Sequence, residues 1–140
     1  MTLTCLPVGL DPVDLRRACR RFGTGVTVFT TRAVDEIRVG VRASSFNTVS
    51  LKPPVVLWSR SVGSSGLPLL KDPGLFAVNM PPQGGCAAAI ECAVIDEHLI
   101  GDHVLSIEQD RRYAHGQADP LLFFNRQYVQ AVDLHAPQPI

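Results

Sequence analysis

The sequence has few aromatic residues, no net charge and no long apolar run. Only 6% of its 140 residues are aromatic, and 13 basic side chains balance 13 acidic ones. Without an excess of positive charge there is no long-range field to attract a polyanion, which argues against nucleic acid as the main partner. No apolar stretch approaches the roughly 20 residues that span a bilayer, so we expect no membrane association.

Cysteine pairs and targeting signals are also missing. No C-x-x-C pair occurs among the four cysteines, Cys5, Cys19, Cys86 and Cys92. The N-terminus lacks the basic and apolar regions of a secretory signal peptide. We therefore expect reduced thiols in a cytoplasmic protein.

The length and composition are those of one globular domain, which we expect to cover 1–140. Hydrophobic residues make up 46% of the chain and charged residues 19%, which is too apolar for a disordered chain. The spacing of apolar residues predicts an amphipathic helix over 11–22. Asp11 is placed to cap its first turn, Pro12 suits the first helical position, and Gly23 follows its end.

After the helix, the spacing of apolar residues changes from the spacing typical of a helix to the alternation typical of strands. β-Branched residues dominate from Gly25 to Thr31, and Pro/Gly-rich turns separate further short strands. The predicted strands are 38–46, 55–58, 75–79, 87–100, 104–108 and 121–124, with one brief helical piece at 67–71. So many strands with few helices favour an antiparallel barrel or sandwich over a doubly wound α/β fold.

Two runs of small polar residues are candidates for ligand binding. The first, 42–50, ends a strand, and the second, 59–66, leaves the next one. Small side chains allow a flat ligand to approach the backbone, while hydroxyls and the arginines Arg42 and Arg60 offer donors to a phosphate or a ring carbonyl. The alternatives are a Ser/Thr-rich loop that caps its own turns and a flexible surface turn.

A histidine follows a tight turn in the sequence Gly101-Asp102-His103. His103 is a candidate for positioning a ligand, and a purely structural role is the alternative. His98 and His103 do not have the spacing of a zinc motif, and Cys86 and Cys92 do not complete a metal-binding set, so we predict no metal site.

Three ordered segments together resemble the short-chain flavin reductase family. They are Phe22-Gly23-Thr24-Gly25-Val26-Thr27-Val28, the run Gly40-Val41-Arg42-Ala43-Ser44-Ser45-Phe46-Asn47-Thr48-Val49-Ser50-Leu51-Lys52-Pro53-Pro54, and Leu75-Phe76-Ala77-Val78-Asn79. Gly101-Asp102-His103 and the segment 119–128 are similar to the family's C-terminal half. The resemblance implies a mainly β, split-barrel FMN-binding fold over 25–128, with the N-terminal helix and one or two short peripheral helices.

The resemblance also implies roles for individual residues. Arg42, Ala43, Ser44 and Ser45 are expected along the flavin ring and ribityl chain, with Ser50 close by. Ser59, Arg60, Ser64 and Ser65 are expected near the flavin phosphate. His103 is expected near the nicotinamide or the reactive face of the flavin, and 22–24 in the same pocket.

The implied activity is NAD(P)H:flavin oxidoreduction: a hydride passes from NADH or NADPH to FMN or FAD, and reduced flavin goes to a partner monooxygenase. A homodimer is implied as well. Two alternatives remain open on the same barrel: a non-catalytic FMN-binding protein and an amine-oxidising enzyme of the pyridoxamine-phosphate-oxidase type.

The connection after Met80 departs from the family's pattern. Family members have a few dozen residues there, with a helix and a mobile loop, whereas Pro81-Pro82-Gln83-Gly84-Gly85 follow here almost at once. Either the segment is naturally absent or the sequence omits it, and we favour omission because a barrel without its covering element exposes apolar surface.

Overall fold

The residues that the structure describes form one short helix followed by antiparallel strands. The computed structural model describes residues 9, 11–32, 38–63, 74–82 and 87–135, without the side chains of 32, 38 and 39. The elements are α1 (Pro12–Cys19), β1 (Thr24–Gly25), β2 (Thr27–Arg32), β3 (Arg38–Ala43), β4 (Asn47–Leu51), β5 (Pro54–Ser61), β6 (Leu75–Met80), β7 (Ala88–Ile100), β8 (His103–His115), β9 (Leu122–Phe124) and β10 (Gln127–Val129). A mainly β protein with an N-terminal helix is confirmed, while the helical piece predicted at 67–71 lies outside the described residues.

Helix α1 starts where its capping residues predict, but it ends earlier than its pattern of apolar residues predicts. The Asp11 carboxylate accepts a hydrogen bond of 3.0 Å from the Val13 N–H, and Pro12 is the first helical residue. After Cys19 the N–H of Phe22 bonds to the carbonyl three residues back, which tightens and closes the helix. The predicted end at Phe22 is therefore wrong, and the Phe22 ring is 79% exposed.

Seven strands form one sheet in the order β3-β2-β6-β7-β8-β5-β4, and β1, β9 and β10 form a smaller one. All of the strand pairings are antiparallel. The two edges of the large sheet, β3 and β4, are joined by residues 44–46 alone. A link this short requires the sheet to curl until its edges meet, which is the geometry of a barrel.

Aromatic rings occupy the inside of the curled sheet. Phe29 and Trp58 stack with their ring centres 3.8 Å apart, and Phe76 meets Trp58 edge-on at 5.8 Å. These rings and Val78 are at most 4% exposed. Phe46, from the link between β3 and β4, packs against this cluster and fixes the link to the core.

Several predicted strand bounds are wrong, and β1, β4 and β10 were not predicted as separate strands. The strand predicted over 38–46 ends at Ala43, so that 47–51 becomes the separate strand β4. The strand predicted over 104–108 continues to His115, and the hairpin partner β10 was missed. The extension of β8 is supported by Arg112, whose guanidinium donates two hydrogen bonds to Glu91 on β7, at 2.8 and 2.9 Å.

Strands β6 and β7 are paired from Met80 opposite Ala88, and residues 81–87 connect them. Pro82 forms an isolated bridge with Pro120 beside this connection. Among the described residues there is no helix long and apolar enough to cross a membrane.

Candidate functional site

A cavity of about 310 Å³ lies where the ends of β3, β5 and β8 meet. We call it the serine cavity; its lining residues are Val41, Arg42, Ala43, Ser44, Ser45, Ser59, Arg60, Ser61 and His103. Seven of these residues were singled out from the sequence as site residues. The curled sheet brings them together from β3 and the link after it, from β5 and from the start of β8, which sequence spacing alone does not require.

A hydroxyl holds the two polar runs of the sequence against each other. Ser45 donates to the carbonyl of Ser59 and accepts from the N–H of the same residue, both at 2.9 Å. The link after β3 is thereby fixed to β5, although the two residues are 14 positions apart. Because the Ser45 hydroxyl already makes both of these hydrogen bonds to the Ser59 backbone, the role of Ser45 is to shape the cavity wall.

Arg60 points into the protein rather than into solvent. Its side chain is 3% exposed, its guanidinium lies 5.5 Å from the centre of the Trp58 ring, and Nη2 donates to Glu97 at 2.7 Å. Its Nε and Nη1 are buried without a hydrogen-bond partner among the described residues. A buried donor without a partner costs free energy, so these two groups are candidates for contact with a bound molecule.

His103 begins β8 at the rim of the serine cavity, after a tight turn in which Gly101 has a φ of 59°. Its Nδ1 lies 2.7 Å from a carboxylate oxygen of Asp102. The hydrogen bond to His103 keeps the pKa of Asp102 below its ordinary value. Asp102 is therefore an acceptor at neutral pH, so Nδ1 donates the proton in this exposed contact and the ring is oriented by it.

Arg42 contacts the small sheet in addition to lining the cavity. Its Nη1 donates to the Tyr128 hydroxyl, and its guanidinium lies 5.4 Å from the centre of the Phe123 ring and 5.7 Å from that of Tyr128. Such contacts hold a cation over aromatic faces. Arg42 therefore joins the two sheets at the edge of the site.

The other predicted site residues lie elsewhere. Ser50 is on β4 and lines neither this cavity nor the one described next. Ser64 and Ser65 lie outside the described residues. No group of His, Cys, Asp and Glu within the described segments is suited to hold a metal ion.

A second cavity, of about 430 Å³, adjoins the first and shares Ser44 and Ser45 with it. We call it the arginine cavity; its remaining lining residues are Arg16, Cys19, Arg20, Phe22, Thr24, Phe123, Asn125 and Arg126. Sequence reasoning placed Phe22 and Thr24 in the neighbouring site but missed the arginines. The arginines of α1 lie on the polar side of the predicted amphipathic helix. A polar side normally faces solvent, so the sequence pattern did not indicate a binding site there.

Comparison with known proteins identifies the family. A sequence profile described as "Flavin reductase like domain" matches residues 19–84. The chain is 30% identical to a protein named FMN reductase (NADH) SmoA from Agrobacterium fabrum, over 84% of this chain and 85% of the relative. This chain belongs to the flavin reductase-like family.

Other members of the family are similar in sequence and in fold. The reductase component of 4-hydroxyphenylacetate 3-monooxygenase from Thermus thermophilus is 28% identical, over 84% of this chain and 95% of the relative. The solved structure of the flavin reductase PheA2 superposes with a TM-score of 0.83 at 28% identity, covering 89% of this chain and all of that one. The predicted split-barrel fold and the predicted family are confirmed.

The serine cavity of this flavin reductase-like chain has donors suited to a flavin. An isoalloxazine ring is flat and has carbonyl and nitrogen acceptors along one edge, and small side chains such as Ala43 and Ser44 leave room for a flat ring. Nε and Nη1 of Arg60, which have no hydrogen-bond partner among the described residues, provide buried donors for such acceptors. The residues present therefore fit the cofactor.

Proposed function

We propose that this protein is an NAD(P)H:flavin oxidoreductase that reduces FMN or FAD. The proposal rests on the names of its relatives together with the serine cavity. The Agrobacterium relative is named as an NADH-dependent FMN reductase, and a Rhodococcus relative that is 26% identical is named NADH-dependent flavin reductase. The cavity supplies a place for the flavin that both names require.

The residues of the serine cavity hold and orient the flavin in this proposal. Ala43 and Ser44 border the ring, Ser59 and the buried N–H groups of Arg60 donate to its polar atoms, and His103 faces the reacting side. Ser64 and Ser65 stay predicted contacts of the phosphate. Because Glu97 already neutralises Arg60, we assign this arginine to neutral acceptors of the flavin as well as to its phosphate.

When bound, the flavin accepts a hydride from the reduced nicotinamide and carries the electrons away. This transfer needs the two rings to be held in contact and needs no strong general acid or base. The protein therefore acts by binding and orientation. The ring of His103, oriented by its contact with Asp102, is suited to position the nicotinamide.

We also propose that the reduced flavin goes to a partner monooxygenase. The Thermus relative is named as a monooxygenase reductase component, and so is a relative from Mycobacterium tuberculosis that is 27% identical. The described cysteines of this chain, Cys19 and Cys92, are free thiols, which supports the proposed cytoplasmic location of this protein.

A homodimer is the proposed assembly. Large apolar side chains are exposed in the single chain, including Leu134 at 86%, Leu51 at 85% and Leu99 at 72%. The family resemblance predicts that a second copy of this chain covers part of this apolar surface. Sizing with light scattering should give twice the mass of one chain, and a monomer at every concentration would contradict the assembly.

The deciding experiment follows the loss of nicotinamide absorbance with purified protein. NADH and NADPH are each tested alone, with FMN and with FAD. Flavin-dependent oxidation supports the reductase and identifies its donor. FMN binding without oxidation of either donor would replace it with a non-catalytic flavin carrier or an amine oxidase.

A pair of variants connects the activity to the serine cavity. Ser44→Phe places a large side chain where the two cavities meet and should weaken flavin binding at least about tenfold, because the ring and the new side chain cannot share the space. Ala114→Phe is the matched control, since Ala114 is exposed on β8 and lines neither cavity. Equal flavin affinity in both variants would move the flavin site elsewhere.

A further inference from the structure

The arginine cavity has a concentration of positive charge that the proposed flavin site does not use. Arg16 and Arg20 reach it from α1, and Arg126 reaches it from the turn between β9 and β10. None of these three side chains forms an ion pair with any described residue. No acidic side chain is among the described residues that line the cavity. The cavity is therefore built to attract an anion.

The backbone at Arg126 is a second indication of function. Asn125 and Arg126 form the two-residue turn between paired Phe124 and Gln127, with φ angles of 49° and 66°. Asn adopts this left-handed conformation readily, but the second position of such a turn normally holds glycine. An arginine there is strained, and residues in such conformations cluster at ligand sites.

Neutral groups of the cavity add two further features. The Thr24 hydroxyl is buried without a hydrogen-bond partner among the described residues, so it is available to a ligand. The rings of Phe22 and Phe123 also line the cavity, and Phe22 is 79% exposed. The exposed Phe22 ring beside guanidinium groups is suited to a nucleotide, whose base stacks while its phosphates accept charged hydrogen bonds.

The position of the cavity connects it to the reaction. It shares Ser44 and Ser45 with the serine cavity, and Arg16 contributes to lowering the pKa of Asp102, the partner of His103. A ligand with its reacting ring at His103 can therefore extend into the arginine cavity. Its larger volume, about 430 Å³ against 310 Å³, suits a base, a ribose and phosphates better than a single phosphate.

We propose that the arginine cavity binds the adenosine diphosphate part of a dinucleotide. This inference rests on the proposed function, because the nicotinamide donor and FAD are the two dinucleotides that the reaction supplies. Both contain the same adenosine diphosphate group. The guanidinium groups hold its two phosphates, and the exposed Phe22 ring receives its base.

Calorimetric titration of the full chain with ADP tests the site without any redox reaction. Adenosine serves as the probe that lacks phosphate. Arg20→Gln and Arg126→Gln should each weaken ADP binding about tenfold, as expected for loss of one charge-assisted hydrogen bond. Arg17→Gln is the matched control, because Arg17 lies on α1 outside both cavities, and it should bind ADP like the wild type.

Steady-state kinetics identify which dinucleotide uses the site. A raised KM for NADH or NADPH with FMN as acceptor assigns the cavity to the donor, since FMN has no adenosine diphosphate. A raised KM confined to FAD assigns it to the flavin, and either result supports the proposal. Equal ADP affinity in wild type and both variants would overturn it, as would weaker FMN binding with no ADP binding at all. Absence of donor oxidation in the wild type would reject the reductase function but leave the ADP titration as an independent test.

Discussion

The indole N–H of Trp58 donates a hydrogen bond of 2.6 Å to a carboxylate oxygen of Glu108, and neither residue is exposed. The same carboxylate accepts from the Ser106 hydroxyl at 3.0 Å and from the Cys92 thiol at 2.6 Å. A buried carboxylate is stable only when its oxygens have such partners. The aromatic core of the barrel is therefore organised around one acidic side chain.

Replacing this carboxylate by an amide should destabilise the fold. In Glu108→Gln, the new NH₂ group faces the donors of Trp58, Ser106 or Cys92, so that at least one hydrogen bond is lost. We expect the free energy of unfolding in urea to fall by about 1–3 kcal/mol. Glu91→Gln, on the exposed surface of β7, is the control and should change stability much less. Equal losses in the two variants would contradict the role given to the buried network.

The two described cysteines should differ in reactivity. Burial raises the pKa of the Cys92 thiol well above its ordinary value, and the hydrogen bond to Glu108 raises it further. Cys19 is exposed at the end of α1. Brief treatment of the native protein with iodoacetamide, followed by peptide mass spectrometry, should label Cys19 and leave Cys92 unmodified. Labelling of Cys92 at the rate of Cys19 before unfolding would show that the core opens readily.

The parts of the fold that local rules determine were predictable from the sequence. Asp11 and Pro12 mark the start of α1, and the β-branched run 27–31 marks β2, because capping and strand propensity act within a few residues. Strand β4 was missed because its Asn, Thr and Ser residues are as common in loops. Its strand conformation depends on pairing with β5, and the sequence does not show that pairing directly.

The candidate site was predictable to a similar extent. The small polar runs at 42–45 and 59–60 indicated the serine cavity, since they end predicted strands that follow one another in the chain. The pairing of Arg60 with Glu97 was not predictable, because the two residues are 37 positions apart and meet only in the folded sheet. The role of Arg126 was hidden for the same reason, as its cavity partners Arg16 and Arg20 lie on α1.

Asp110 should make stability depend on pH in an identifiable direction. Burial, with a smaller effect of Glu108, raises its pKa above the ordinary value, and its Oδ1 is buried without a described partner. The folded state then holds the proton more tightly than the unfolded state, so stability falls as pH rises from about 4 through the raised pKa. Asp110→Asn removes this fall. The variant should match the wild type at low pH and exceed it at neutral pH in urea unfolding.

Glu91→Gln is a control, because ionisation of Glu91 changes stability with pH in the opposite direction to that of Asp110. The hydrogen bonds from Arg112 lower the pKa of Glu91, so its contribution to stability is present at neutral pH and is lost as pH falls through that lowered value. The difference between wild type and variant should therefore shrink on acidification. A pH-independent difference for Asp110→Asn would rule out the ionisation of that residue as the cause.

Arg126→Gly should separate stability from ligand binding. The φ of 66° at this position suits glycine, so removing the strained side chain should raise the free energy of unfolding by about 0.5–1 kcal/mol. The same change removes one guanidinium from the arginine cavity and should weaken ADP binding about tenfold. Arg126→Asn provides the control, because asparagine tolerates this conformation but carries no charge. Both variants should lose ADP affinity, and the glycine variant should be the more stable of the two. A gain in stability with unchanged ADP affinity would mean that Arg126 is strained without serving the ligand.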